Sequence, residues 1–524
     1  MPHASAYRWG VYPLWLLLSL TIFFRPPAPI DETRYLSVAW EMWLRHDFWV
    51  PFLNGQAYSH KPPLLFWLFH LGWALFGVNE WWPKMVGPLC ALLNIFLLKA
   101  LAKRLWPEWP QAPLLAPWLL LATLLWTVFA TSMMFDILLS CCVLACMLGG
   151  VTAWRTPGTK GWALLGLGIA LGILAKGPVV YLHIAPPLLL AGFWADGGLP
   201  PHWRRHFGFA CLAGAGLALL WALPAALSGG QRYANAIFWS QTADRAIPSG
   251  IHARPVWWYV QFTPLFLFPW AFWPGIWRAA RGWRWNKADA GERFCVIWLI
   301  SGWLLFSLLP SKQIHYLLPI LPAFALLAAR LLAARAAEPP SRFDFAPPFL
   351  LALIGAGLML APRLPGLDAW HWLQNVRLGW GGLTVGFAAI MTWLLAARRR
   401  HAVFWLAAGV TGSVACGIVF FFDYNGLAYD LRPAAQLLRE FELQRRDCVY
   451  VGNYQGQLHF LGRLTQPLPT IEPAQSAAWA ATHPAGCMIS MEKQRPELSF
   501  FYQPHREYWL AFRNADAAWT LKPL

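Results

Sequence analysis

The sequence predicts an all-α polytopic membrane protein of about thirteen transmembrane helices with a small external α/β domain at its C-terminal end. Three observations predict it. The chain is 58% hydrophobic and only 12% charged, where soluble domains carry about 25% charged residues. Apolar runs of 14 to 22 residues recur from Val11 to Phe422. After Asp423 those runs stop and charged residues become frequent.

The runs fall at 11–24, 84–103, 114–130, 136–153, 161–175, 178–195, 207–227, 259–277, 293–310, 314–334, 345–362, 379–397 and 401–422. A span needs about 20 apolar residues, so several are short and their ends are soft. The first run, behind MPHASAYRWG, has no small-residue cleavage site and reads as an uncleaved span. The 36 Trp suit a chain with many membrane–water interfaces.

Net charge is +17, but the basic residues sit in short loops between apolar runs, which argues against nucleic acid and for cytoplasmic loops. The clusters are Lys99/Lys103/Arg104, Arg155/Lys160, Arg204/Arg205, Arg278/Arg281/Arg284/Lys287, Arg330/Arg335 and Arg398/Arg399/Arg400. Thirteen spans and a cytoplasmic N-terminus put all six inside. Counting 64–78 as a further span reverses every later cluster, so that segment is expected to lie in the interface. The same parity puts 25–83, Met133–Asp136, the turn at Lys176, 228–258, Ser311–His315, 363–378 and the terminal domain outside.

The first external loop, DETRYLSVAWEMWLRHDFWVPFLNGQAYSHKPP, has the highest polar density in its surroundings. Asp31, Glu32, Arg34, Tyr35 and Lys61 share it, with a helix expected over 32–46 and Glu41 pairing locally on it. A carboxylate held near cations stays ionised and can act as a base or orient a hydroxyl; the alternative is solvated loop carboxylates. Lys61 is stiffened by Pro62 and Pro63 and suits a phosphate; the alternative is snorkelling to headgroups. Asp136 enters an apolar helix, which marks a functional position or an ordinary N-terminal acid. Lys176 sits in a turn that Gly177-Pro178 explains without it. Tyr233, Asn235, Asp244, Arg245 and Arg254 occupy the central external loop, and Lys312, His315 and Tyr316 another. Many external cations fit an anionic, membrane-borne ligand such as a polyprenyl phosphate. No His or Cys spacing suggests a metal site; Cys448 and Cys487 are able to pair.

In the terminal domain, 423–524, CVYVGNY, QLHFLG, GCMISM and EYWLAF read as strands and PAAQLLREFELQRR as an amphipathic helix.

Asp31-Glu32-x-Arg34-Tyr35, Glu41-Met42, Pro51, Asn54-Gly55, Tyr58 and Lys61-Pro62-Pro63 resemble the first external loop of the protein-mannosyltransferase-related glycosyltransferases (family 39, GT-C type), particularly the bacterial aminoarabinose–lipid A transferases. Asp136, Lys176-Gly177-Pro178 and Ser311-Lys312…His315-Tyr316 follow in the matching order. The resemblance covers roughly 10–330 well and the terminal domain loosely.

It implies a bacterial inner-membrane enzyme with a GT-C catalytic domain over 1–422. The enzyme would move a sugar from a polyprenyl (undecaprenyl) phosphate to lipid A or another glycan or lipid acceptor by inverting displacement in the periplasm. Asp31 and Asp136 would be the catalytic acids. Glu32, Arg34, Tyr35, Lys61, Lys176, Arg245, Arg254, Lys312 and His315 would bind substrate. Where relatives commonly have Glu before Lys-Pro-Pro this chain has His60, so no cofactor is expected, a divalent metal being the alternative. A transporter would place charges near the bilayer midplane and often show inverted repeats; here they gather at one face and no repeat is visible.

Overall fold

The computed structural model describes residues 4–240, 253–334, 341–364, 371–397 and 401–515. Among these, eight helices are long and apolar enough to cross a membrane: Trp81–Leu105, Phe135–Arg155, Trp203–Trp239, Ala290–Leu308, Ile314–Ala334, Arg342–Arg363, Leu378–Ala397 and Ala402–Leu443, the last two-part run including the helix after Asp430. All thirteen apolar runs are helical over most of their length, but two are broken near their middles. The run at 114–130 divides into Ala112–Leu121 and Leu124–Phe129, and that at 259–277 into Trp258–Phe266, a short turn and Pro274–Ala280. Pro269, Pro274 and the Thr123 backbone in extended geometry explain the breaks: proline cannot donate within a helix, and an extended residue ends one. The ambiguous segment is a 13-residue helix, Leu64–Phe76. At 1.5 Å per residue it is about 20 Å long, short of the roughly 30 Å hydrocarbon layer.

Helix Phe135–Arg155 packs antiparallel on Lys160–Lys176 with small residues at the contact. A Cβ on Gly149 would meet the backbone nitrogen of Leu165 at 2.7 Å, and one on Gly161 that of Ala153 at 2.4 Å. Lipid gives helices little hydrophobic reason to associate, so close backbone packing of this kind holds them. The hairpin has a consequence for the site. It brings the first turn of one helix, with Asp136, beside the last turn of the other, with Lys176.

The end of the chain builds a second core from Leu431 onward. Helix Arg432–Leu443 lies with a five-stranded sheet formed by β3 (Cys448–Val451), β4 (Thr470–Ile471), β5 (Cys487–Glu492), β6 (Phe501–His505) and β7 (Tyr508–Asn514), in the order β4-β3-β5-β7-β6. β3 is parallel to β4 and β5, and β7 antiparallel to β5 and β6. Cys448 and Cys487 are register partners, 4.5 Å apart at Cα, and form a disulfide. QLHFLG, expected as a strand, is instead a helical turn at His459–Gly462. Its Phe460 stacks on Trp73 (5.3 Å between centroids, 3° between planes), so docking on the first loop overrides β propensity.

The first loop itself folds as helix Asp31–Arg45, a hairpin of β1 (Phe52–Leu53) and β2 (Gln56–Ala57), and helix Leu64–Phe76. Asn54 (φ 53°) and Gly55 (φ 80°) make the Asn-Gly hairpin turn that left-handed backbone requires. Glu41 pairs with Arg45 and accepts from the Gly55 nitrogen (3.0 and 3.2 Å), the local role expected of it.

Candidate active site

Phe135 joins three segments of the site. Its buried ring meets Tyr35 edge-on at 5.0 Å and Phe66 at 5.6 Å, and the Lys61 ammonium lies 5.5 Å from its centroid. Through one side chain the Asp31 helix, the Lys-Pro-Pro segment and the Asp136 helix are held together.

Asp31 is half exposed at the first turn of its helix, where a carboxylate is favoured by the helix dipole. Its Oδ1 receives Arg34 and, at 3.5 Å, the Tyr35 hydroxyl. Arg34 is clamped: Nη2 on Asp31, Nη1 on Gln455 Oε1 at 3.1 Å, and the guanidinium 5.5 Å from the Tyr35 ring. Burial pushes the Tyr35 phenol well above its ordinary value, with the Asp31 charge adding to it, so Tyr35 stays a hydrogen-bond donor. Tyr58 is buried beside them and stacks on the exposed His60 (5.2 Å, 16°).

Asp136, 2% exposed, pairs with Lys176, which is also buried, and faces His315 Nε2 at 3.9 Å. The Lys176 ammonium sits 4.6 Å above the Tyr316 ring. Lys61 lies within electrostatic reach of both Asp136 and His315, and Asp31 within reach of His315. The expected residues Asp31, Arg34, Tyr35, Lys61, Asp136, Lys176 and His315 thus gather at one region, from segments 284 residues apart in sequence (31 to 315).

Others behave differently. Glu32 was expected to bind substrate, but it is 3% exposed and its carboxylate is occupied: Arg25 donates at 2.5 and 2.9 Å, Ala28 N at 2.7 Å and Met133 N at 2.9 Å. Burial raises its pKa, and the Arg25 charge with those donors outweighs burial and holds it below the usual carboxylate range. Arg25 further donates to Thr131 O (2.7 Å), so the pair ties the Asp31 helix to the turn before Asp136. Lys312 donates to the carbonyls of Leu309 (2.5 Å) and Arg254 (3.0 Å); it fastens the start of the 253–258 segment rather than presenting a free cation. Arg254 is exposed, its side chain near Ala253 O at 3.5 Å. Arg245 and Asp244 lie outside the described residues. No group of three His, Cys, Asp or Glu side chains suited to a metal occurs among the described residues.

Sequence reasoning missed Arg25, His183 and Gln455. Arg25 precedes a Pro-Pro-Ala-Pro stretch and looks like a membrane-edge cation. His183, 1% exposed with Nδ1 unpartnered, stacks on Phe306 and lies within reach of Lys176 and Asp136; a lone His in VYLHIAPP gives no signal. Gln455 is 421 residues from the arginine it touches.

Residues 60–226 match the dolichyl-phosphate-mannose-protein mannosyltransferase family. The chain is 30% identical over 384 residues (68% of this chain, 65% of the relative) to the undecaprenyl phosphate-α-4-amino-4-deoxy-L-arabinose arabinosyl transferase of Pseudomonas paraeruginosa. It is 29% identical over 308 residues (57% and 54%) to that of Edwardsiella ictaluri. The match therefore spans between about half and two thirds of the length of these relatives. The crystal structure of ArnT from Cupriavidus metallidurans bound to undecaprenyl phosphate superposes with a TM-score of 0.74 at 18% identity, covering 98% of both chains. The chain thus resembles the mannosyltransferase family over 60–226, is similar in sequence to bacterial aminoarabinosyl transferases, and shares the ArnT fold along its length.

Proposed function

We propose that this chain is a bacterial inner-membrane glycosyltransferase that moves a sugar, 4-amino-4-deoxy-L-arabinose, from undecaprenyl phosphate to lipid A at the periplasmic face, with inversion. The observation that carries the reading is the gathering of two carboxylates, Asp31 and Asp136, with Lys61, Arg34 and His315 at one end of the helical bundle. The donor and its sugar are those named for the relatives at about 30% identity, and lipid A as acceptor follows the resemblance of the first external loop. Two further observations support the sidedness: the basic clusters take the opposite side by parity, and the terminal unit, 423–524, carries a disulfide, as proteins of oxidising compartments do.

In this mechanism Asp31 accepts the proton of an acceptor hydroxyl as its oxygen attacks the anomeric carbon from the face opposite the phosphate. The bond between that carbon and the phosphate oxygen breaks, and the phosphodiester becomes a phosphomonoester carrying one more negative charge. Lys61 meets that developing charge, which is where a preorganised cation is most effective. Asp136 and Lys176 neutralise each other and hold His315 and Tyr316 at the site. Arg254 and Lys312 frame the donor side, with Lys312 acting through the backbone it fastens. No step requires a metal.

Purified protein in detergent, with undecaprenyl-phosphate aminoarabinose and lipid A, tests the reading. Wild type transfers, while folded Asp31→Asn and Lys61→Ala lose at least about a hundredfold. Transfer by Asp31→Asn at the wild-type rate removes Asp31 from the chemistry. Donor binding without transfer to lipid A overturns the acceptor assignment and leaves another glycolipid, a polymer or a protein as the acceptor.

A further inference from the structure

The terminal unit reaches into the candidate site. Its segment Gly452–Gly456 leaves the end of β3 and lies on the helix that carries Asp31. Ser37 of that helix donates to Gly456 O at 2.6 Å and accepts from Phe460 N at 3.1 Å, both buried. Gly456 has φ 72°, and a Cβ there would lie 2.4 Å from Leu53 Cδ1, so the approach needs glycine. Trp40 Nε1 donates to Leu464 O at 2.8 Å, and Asn54 exchanges two bonds with Leu468 (2.9 and 2.8 Å). This docking fixes where Gln455 stands.

Gln455 is braced at each end. Its backbone nitrogen donates to Gln457 Oε1 at 3.0 Å and its Nε2 to Asn453 Oδ1 at 2.8 Å, which aims Oε1 at Arg34 Nη1, 3.1 Å away. The other terminal nitrogen of Arg34 is on Asp31 Oδ1, and Arg34 Nε is buried without a partner. Both donors that reach Asp31 among the described residues use Oδ1.

We propose that Gln455 is a positioning residue of the transfer reaction. By holding Nη1 it keeps the guanidinium on Oδ1 of Asp31 and leaves Oδ2 to face the acceptor hydroxyl. The reaction centre is then incomplete without the terminal unit, whose contribution is to aim the arginine that aims the carboxylate. The inference rests on Asp31 being the reacting carboxylate.

The test compares Gln455→Met, Gln455→Glu, Trp40→Phe and Asp31→Asn in the full-length protein with the transfer assay above. Met keeps the length and removes the acceptor; Glu keeps an oxygen for Arg34. Trp40→Phe removes a docking bond of the same unit without touching Arg34. Gln455→Met is expected to lower kcat by about ten- to a hundredfold, as a misplaced group does, with KM for the donor within about twofold and thermal midpoint unchanged. Gln455→Glu restores kcat to within about fivefold of wild type, and Trp40→Phe transfers normally. Wild-type kcat in Gln455→Met, with Asp31→Asn inactive, overturns the inference and leaves the role of Asp31 standing. Equal losses in Gln455→Met and Trp40→Phe also overturn it, since docking alone then explains both. Asp31→Asn transferring at the wild-type rate, or no transfer by wild type, overturns the underlying reading together with the inference.

Discussion

Asp136 and Lys176 show why a buried charge is read by its partner. Each is almost fully buried, so each depends on the other for the solvation it has lost. Removing one member leaves an uncompensated charge and costs about 3–5 kcal/mol. Asp136→Asn alone and Lys176→Met alone are therefore expected to unfold at clearly lower denaturant or temperature. The double variant recovers part of that stability but not transfer, because His315 and Tyr316 lose what orders them. Recovery of transfer in the double variant would reduce the pair to a structural one.

Glu32 and His459 are two of the residues that give stability a pH dependence. Glu32 is held below its unfolded value by Arg25 and backbone donors, so its contribution is present above the unfolded carboxylate range and is lost as pH falls from there through its lower folded value. His459, buried against Tyr454 Oη at 2.8 Å, is pushed down to about 4 by burial from 6.5. Its folded value lies below its unfolded one, so the unfolded chain binds the proton more readily. The contribution is complete above 6.5 and declines as pH falls towards 4. Hydrogen exchange of Cys448–Val451 in the full chain reads this out: protection falls over that window in wild type, and His459→Gln reduces the fall, the remainder coming from His505, which burial also pushes down to about 4.

At the scale of elements, the hairpin of Phe135–Arg155 and Lys160–Lys176 sets the register of the site. Its contact is backbone on backbone at Gly149 and Gly161. Gly149→Leu forces the helices apart and is expected to cost about 1–3 kcal/mol as overpacking. It should also lower transfer at temperatures where the protein remains folded, because Lys176 no longer meets Asp136. Gly192, where a Cβ meets nothing within 4 Å, is the matched control, and Gly192→Ala leaves both unchanged.

Across the whole molecule, sidedness ties the fold to the function. Cysteines placed at His60 and at Arg104, both exposed, are expected to react with a membrane-impermeant maleimide from opposite sides, His60→Cys from the periplasm. Labelling of both from one side breaks the parity argument and the enzyme reading with it. The terminal unit belongs to the same picture, since it is fastened to the first loop by Ser37, Trp40, Asn54 and Gln455's contact with Arg34.

The composition, the thirteen apolar runs and the Asp31–Lys61 motif were legible in the sequence because each depends on nearest neighbours: hydrophobicity over a window, prolines beside a lysine, charges within one loop. Asp136 was also legible, as an acid entering an apolar helix, and Lys176 as a cation that its Gly-Pro turn does not explain. Their pairing was not, since it depends on which helices pack antiparallel and how closely glycine lets them approach. The same limit explains Glu32, whose sequence neighbours give no hint that Arg25 and Met133 consume its lone pairs. It explains the QLHFLG turn, where an aromatic contact from a distant helix outweighed local propensity, and the breaks at Thr123 and Pro269, which hydropathy averages over. It explains Gln455 most of all. Solvation and helix propensity act locally and can be read along the chain. Which donor meets which acceptor across 421 residues is decided when the chain closes on itself.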